Sequence, residues 1–79
     1  MYTRVITYDL RNASQEDYQA LYDYLESVNA QKITESSYLI KTDLKWTDFT
    51  NQIQAVTKAG DNVKAVVICN NAIEVWTIR

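Results

Sequence analysis

The last third of the chain constrains the fold most, because it carries two apolar segments separated by a pair of asparagines. Residues 63–69 (VKAVVIC) form the most apolar run of the sequence, and residues 72–78 (AIEVWTI) follow Asn70 and Asn71. Asparagine accepts the positive φ angles that a two-residue hairpin turn requires. The pattern therefore predicts an antiparallel strand pair, whose first strand lies in the middle of a sheet.

Both of these predicted strands present apolar side chains on two sides. Side chains alternate between the two sides of a strand. The first strand therefore has on one side Val63, Ala65, Val67 and Cys69, and on the other Val66 and Ile68. The second has Ile73 and Val75 on one side, and Trp76 and Ile78 on the other. An uncovered apolar sheet face usually marks a protein interface. We therefore expect a homodimer formed sheet to sheet, with Val75, Trp76 and Ile78 at the interface. A monomer with half-exposed aromatic residues is the alternative.

The first thirty residues predict a strand followed by an amphipathic helix. Residues 4–9 (RVITYD) are rich in β-branched and aromatic residues, and a polar loop follows them. Ser14 precedes Asp17 by three positions, which is the spacing of a helix capping box. Asn29 is suited to end the helix. Apolar residues recur at helical spacing between these two points: Tyr18, Leu21, Tyr22, Leu25 and Val28. Tyr24 does not lie on the stripe that these residues form.

The middle of the chain predicts two short strands and a second helix. Residues 31–43 (QKITESSYLIKTD) break into two strands near Glu35 and Ser36. One face of the second helix is marked by Trp46, Phe49, Ile53 and Val56, and Gly60 follows as its C-terminal cap. The order β-α-β-β-α-β-β predicts one α+β domain over residues 1–79. Its first six elements follow the ferredoxin-like split βαβ plan, with two helices on one face of an antiparallel sheet and a fifth strand added.

Composition excludes several classes of site. The sequence has no histidine, one cysteine, one glycine and no proline, and its formal net charge is −2. It therefore lacks an imidazole base, a disulfide within the chain, a cysteine metal cluster and a glycine-rich phosphate loop. No apolar stretch is long enough to span a membrane, and the first residues do not resemble a signal peptide. We expect a cytoplasmic protein without a membrane partner.

Two aspartates are the candidate metal ligands. Asp9 ends the first predicted strand, and Asp43 ends the third. In the split βαβ plan we expect these strands to be parallel neighbours, so both carboxylates lie at one edge of the sheet and can share a hard cation such as Mg²⁺ or Mn²⁺. Such an ion would activate water for hydrolysis, with Asp9 as the catalytic residue. The alternative role of both aspartates is in turns and helix caps.

Three polar residues are candidates for binding nucleic acid. Arg11 and Asn12 follow the first strand, where they could hold a phosphate together with Ser14 at the start of the helix. Ser37 lies in a polar pair before the third strand. Without a base beside it, this serine suits binding or turn geometry better than nucleophilic catalysis.

The opening YTRVITYDLRN, the helix YQALYDYLES, the strand SSYLIKTDL and the closing AVVICNNAIEVWTI resemble the small CRISPR-associated Cas-two family and its VapD- and SinR-like relatives. The resemblance implies a homodimer joined in part by the fifth strand, with Asp9 of each chain facing its mate and binding a divalent ion. It also implies metal-dependent cleavage of RNA or DNA, or a structural role in bridging DNA. The acidic charge and the single arginine after Asp9 depart from the basic surface of a DNA-bridging protein.

Two functional hypotheses follow from these observations. The first is a dimeric Cas-two-like protein that acts as a metal-dependent nuclease or binds RNA or DNA. The second is a non-catalytic interaction or regulatory module, encoded by a mobile element, which has kept the dimeric fold without the chemistry.

Overall fold

The computed structural model describes the backbone of residues 1–79 and every side chain except those of Ile68 and Cys69. Five strands and two helices follow the predicted order. They are β1 (Tyr2–Asp9), α1 (Gln15–Ser27), β2 (Gln31–Thr34), β3 (Ser37–Thr42), α2 (Trp46–Ala55), β4 (Asn62–Cys69) and β5 (Ala72–Thr77). Within the described residues, neither helix combines the length and the hydropathy needed to cross a membrane.

The strands form one antiparallel sheet in the order β2-β3-β1-β4-β5. Strand β1 lies at the centre, where it pairs with β3 on one side and β4 on the other. The predicted α+β class, with an antiparallel sheet and two helices, is confirmed. The expected parallel pairing of β1 with β3 is wrong, because β3 returns from β2 through a hairpin and so runs against β1.

The hydrophobic core lies on one side of the sheet. Ile6 of β1 is opposite Ala65 of β4, and alternate residues of these strands face the helices. The buried apolar side chains form a single cluster: Ile6, Tyr8, Leu10, Leu21, Leu25, Ile40, Phe49, Ile53, Val63, Ala65 and Ile78. Both helices contribute to this cluster, and the other side of the sheet contributes none of these buried residues.

Helix α1 begins and ends as its sequence predicts. Ser14 and Asp17 form a reciprocal capping box, and Asn29 takes a φ of 55° after the last turn. The aromatic side chains are placed differently from the expectation. Tyr22 is 38% exposed. Tyr24 packs against the core and its hydroxyl donates to Gln52 Oε1 of α2 at 3.1 Å. The helix is therefore rotated about its axis, so that Tyr24 rather than Tyr22 faces α2.

Positive φ angles confirm one of the predicted turns and relocate another. Asn70 and Asn71 have φ angles of 51° and 65°, which is the two-residue hairpin geometry expected between β4 and β5. Gly60 also has a positive φ, of 96°, but α2 already ends at Ala55. Gly60 therefore belongs to the turn between α2 and β4 and does not cap the helix.

A row of apolar side chains crosses the side of the sheet away from the core. Cross-strand pairing sets Leu39, Val5, Val66 and Val75 next to one another across β3, β1, β4 and β5. We call these four residues the apolar row. Val5, Leu39 and Val66 are half-buried, and Val75 is 66% exposed. The sequence assigns Ile68 to the same side as Val66 and Cys69 to the same side as Val63, but both side chains lie outside those that the structure describes.

Strand β5 corrects part of the expected dimer interface. Val75 and the exposed Ile73 lie on the side of the apolar row, whereas Trp76 pairs with Ala65 on the core side. Ile78 is 4% exposed and belongs to the core of its own chain. The predicted alternation along β5 is correct. However, only Val75 of the three expected interface residues remains available to a second copy on the open side of the sheet.

Candidate functional site

Asp9 lies at the C-terminal end of the central strand, on the open side of the sheet. It is opposite Asn62 of β4, and its side chain is 70% exposed. Its Oδ2 atom lies 3.7 Å from Nε of Arg11, which is 66% exposed. An ion pair at this degree of exposure contributes about 0–1 kcal/mol. The Asp9 carboxylate can therefore exchange Arg11 for another cation at small cost.

Asp43 does not join Asp9. Because β1 and β3 are antiparallel, Thr42 pairs with Tyr2 at the opposite end of β1. At about 3.3 Å per residue, the seven steps from Tyr2 to Asp9 span roughly 23 Å. Asp43 lies 3.6 Å from the terminal ammonium of Met1 instead. One chain cannot use both aspartates on one ion, and the predicted two-carboxylate site is wrong in its geometry.

A buried aspartate holds the loop that follows Asp9. The carboxylate of Asp61 accepts the backbone N–H of Arg11 at its Oδ1 atom and that of Lys58 at its Oδ2 atom, each at 3.0 Å. Asp61 is 6% exposed. It thus connects the β1–α1 loop to the turn before β4 and holds the backbone of Arg11 in place. The role of Asp61 has no signal in the sequence, because a polar residue after a glycine gives no sign that it is buried.

The predicted phosphate position at the start of α1 is filled from within the chain. Ser14 Oγ accepts the backbone N–H of Asp17, and the Asp17 carboxylate accepts the backbone N–H of Ser14. Lys58 Nζ lies 2.9 Å from the same carboxylate and holds the pKa of Asp17 below its ordinary value. This carboxylate meets the positive end of the helix. Arg11 and Asn12, whose φ is 48°, remain exposed in the loop beside it.

Aromatic residues border Asp9 on its other flank. A depression of about 460 Å³ is lined by Tyr8, Asp9, Tyr18, Tyr22, Glu35 and Ser36. The Tyr8 hydroxyl donates to the carbonyl oxygen of Glu35 at 3.1 Å, and burial raises the pKa of Tyr8. Ser37 begins β3 opposite Thr7 and is half-buried at the same end of the sheet. The structure therefore gathers Asp9, the Arg11 loop and Ser37 at one end of the sheet, whereas the expected parallel pairing of β1 with β3 would have placed Ser37 at the other end.

The side chains at this end of the sheet limit how the expected divalent ion could be bound. Among the described residues, no group of three or more His, Cys, Asp or Glu side chains is close enough to hold a metal. Mg²⁺ is commonly held by one or two carboxylates, with waters and substrate phosphates completing its shell. The exposed Asp9 supplies one such ligand. Comparison with protein-family models, curated proteins and solved structures finds no match to this chain.

Proposed function

We propose that this chain is a cytoplasmic, homodimeric protein of the Cas-two-like class that binds RNA or DNA and cleaves it with a divalent ion held by Asp9. The observation that carries the proposal is the position of Asp9: an exposed carboxylate at the end of the central strand, on the side of the sheet that the helices leave open. An antiparallel sheet in the order β2-β3-β1-β4-β5, with both helices on one side, supports the ferredoxin-like split βαβ plan with an added fifth strand that this class implies.

The apolar row supports a dimer formed through the open side of the sheet. Its four side chains lie on adjacent strands and end at Val75, which is 66% exposed in the single chain. Packing this row against that of a second copy removes apolar surface from water. Asp9 lies on the same side of β1 as Val5, four residues further along the strand. A two-fold axis that runs parallel to β1, between the two packed sheets, would set both Asp9 carboxylates at the same end of the dimer, where they would bind one Mg²⁺ or Mn²⁺ ion.

In this proposal Asp9 and Arg11 have separate roles. Asp9 would bind the ion, which when bound lowers the pKa of its water and supplies the attacking hydroxide. Arg11, released from its ion pair with Asp9, would contact a phosphate of the nucleic acid. Asn12 and Ser37 at the same end would donate hydrogen bonds to the nucleic-acid backbone.

A cleavage assay tests the catalytic part. Labelled RNA and DNA are incubated with the protein in Mg²⁺, Mn²⁺ or EDTA, and Asp9→Asn is compared with Asp43→Asn. Asp43 is the matched control, because it is an exposed aspartate at the opposite end of the sheet. We expect Asp9→Asn to lower the rate by at least about a hundredfold and Asp43→Asn to leave it unchanged. Equal rates for the two variants would remove Asp9 from the mechanism.

Analytical ultracentrifugation tests the dimer. Val75→Lys places a charge at the exposed end of the apolar row, and Ile33→Lys makes the same change at an exposed position on the edge strand β2. We expect the wild type and Ile33→Lys to be dimers and Val75→Lys to be a monomer. A wild-type monomer at all concentrations, or a dimer that survives Val75→Lys, would contradict the proposed interface.

The second candidate is a non-catalytic interaction module. The ion pair between Asp9 and Arg11 favours it, because the carboxylate that would bind the metal already has a cation beside it. Under this reading the dimer forms as above, while the wild-type protein cleaves neither RNA nor DNA with any divalent ion. The cleavage assay therefore separates the two candidates.

A further inference from the structure

A second concave site lies at the end of β1 opposite Asp9. It is a cleft of about 450 Å³ between the N-terminal part of β1, the start of α2 and β5. Its lining includes Tyr2, Arg4, Lys45, Trp46 and Trp76. A cleft of this size accommodates a small organic ligand. The proposed function makes no use of it.

Flat aromatic rings form its walls. The rings of Trp46 and Trp76 meet edge to face, with centroids 4.8 Å apart and an interplanar angle of 80°. Tyr2 is 51% exposed at the mouth of the cleft. These two tryptophans are the only ones in the chain. The half-buried rings of Trp46 and Trp76, together with the exposed Tyr2, offer a planar ring a surface on which to stack.

Arg4 places a buried positive charge in this cleft. It is 6% exposed, and its guanidinium carbon lies 4.8 Å from the ring centroid of Tyr2 and 4.6 Å from that of Phe49. Its Nη1 atom donates to the carbonyl oxygen of Leu44 at 2.9 Å. A guanidinium has five N–H donors. Among the described side chains, no carboxylate forms an ion pair with Arg4: the cations of the ion pairs are the terminal ammonium, Arg11 and Lys58.

Further positive potential comes from the start of α2. Its N-cap residue is Lys45, which is exposed and makes no side-chain hydrogen bond to the first turn. The N–H groups of that turn are therefore not capped by a side chain, and the helix dipole adds to the charges of Lys45 and Arg4. The acidic groups nearby are Asp48 in the first turn, Asp43 beside the terminal ammonium, and Glu74, which accepts from Trp76 Nε1 at 2.7 Å.

We propose that this cleft binds a nucleoside monophosphate, with its base against the rings of Trp46, Trp76 and Tyr2 and its phosphate at Arg4, Lys45 and the start of α2. An apolar ligand would leave the buried Arg4 charge unmatched, and inorganic phosphate alone would leave the aromatic walls in water. A ligand with both a flat ring and a dianion covers the aromatic walls and also neutralises the positive charge of the cleft. The proposal goes beyond the function assigned to Asp9 and does not depend on it.

Intrinsic tryptophan fluorescence reports on this site directly, because both tryptophans line it. The protein is titrated with AMP, adenosine and phenyl phosphate. We expect AMP to change the fluorescence saturably and to bind at least about tenfold more tightly than either of the other two, because adenosine lacks the charged phosphate and phenyl phosphate lacks the base. No saturable change with AMP, or equal affinity for AMP and adenosine, would overturn the proposal. Equal affinity for AMP and phenyl phosphate would overturn the nucleotide assignment.

Charge-reversal variants locate the phosphate. Lys45→Glu is compared with Lys32→Glu, an exposed lysine on edge strand β2. We expect the first to weaken AMP binding by about tenfold or more and the second to leave it unchanged. Equal effects would place the phosphate elsewhere and contradict the proposal. Arg4→Met, which keeps an unbranched side chain at the buried position, should abolish binding. If it fails to fold, the Lys45 comparison still decides.

A last titration identifies the source of the nucleotide. A trinucleotide with a 5′-phosphate is compared with the same trinucleotide ending in a 5′-hydroxyl. Binding of the phosphorylated form as tightly as AMP would support the proposal and identify the ligand as the 5′ end of a strand. Binding of AMP alone would support it with a free nucleotide as the ligand.

Discussion

The loop that follows Asp9 depends on one buried carboxylate, and replacing it should cost a large part of the fold's stability. Asp61 accepts the backbone N–H groups of Arg11 and Lys58, each at 3.0 Å, and is itself 6% exposed. A hydrogen bond to a charged group contributes about 1.5–3 kcal/mol. Asp61→Ala removes two of them. Because water can reach part of the space that is left, we take the lower end of the range and expect a loss of about 3 kcal/mol.

That loss is measured by urea unfolding, followed by tryptophan fluorescence. For a domain of 79 residues, 1 kcal/mol corresponds to about 4–8 °C in melting temperature, so Asp61→Ala should melt roughly 12–24 °C lower. Asp61→Asn keeps one acceptor oxygen and should lose about half as much. Glu26→Ala is the control, because Glu26 is an exposed carboxylate on α1, and it should change stability by less than about 0.5 kcal/mol. A loss below about 1 kcal/mol in Asp61→Ala would refute the structural role of the two hydrogen bonds.

Three further predictions concern other contacts. Lys58 lowers the pKa of Asp17 below the ordinary value of 3.8. This carboxylate therefore stabilises the fold above about pH 4, and its contribution is lost as the pH falls through the lowered pKa. In Asp17→Asn the free energy of unfolding should fall less steeply with decreasing pH than in the wild type, and equal slopes would contradict the ion pair. Asn71→Gly should raise the melting temperature slightly, because φ is 65° there and glycine adopts it without strain; a lower melting temperature would argue against the turn. Tyr8→Phe removes the bond to the Glu35 carbonyl and should cost about 1 kcal/mol in urea unfolding. Because burial raises the pKa of Tyr8, stability present below about pH 10 is lost as the pH rises further, and this alkaline loss should be smaller in Tyr8→Phe; an unchanged slope would contradict it.

Local signals in the sequence predicted the elements and most of their ends. The capping box of Ser14 and Asp17, the end of α1 at Asn29 and the turn at Asn70 and Asn71 depend on the backbone preferences of a few neighbouring residues. Such preferences act over one turn of chain and can be recognised without knowledge of the partners. Gly60 shows the limit of this reasoning, since its positive φ was correct and its assignment to the helix end was not.

Features that depend on pairing between distant strands were predicted less well. The separation of Asp43 from Asp9 follows from the direction of β3 relative to β1, which is set by the β2–β3 hairpin rather than by either aspartate. Likewise, alternation along β5 was predicted correctly, but only the pairing of Trp76 with Ala65 shows that this side faces the core.

Arg4 did carry a signal that was overlooked. It lies two and four residues before Ile6 and Tyr8, and strand alternation places all three on the buried side of β1. A charged residue in a buried register is uncommon and is normally compensated. The aromatic rings that surround Arg4 come from β1 and α2, so the cleft itself could be seen only in the folded chain.

Binding of a divalent ion by Asp9 in a dimer is tested by thermal unfolding in Mn²⁺ or Mg²⁺ and in EDTA, at two protein concentrations. A ligand at a hundredfold excess over its Kd stabilises the folded state by about 2.7 kcal/mol. We expect the wild type and Asp43→Asn to melt at a higher temperature with metal and at the higher concentration, and Asp9→Asn to lose the gain from metal while keeping the dependence on concentration. A melting temperature that is the same with metal as with EDTA, or a gain from metal that survives in Asp9→Asn, would contradict the claim.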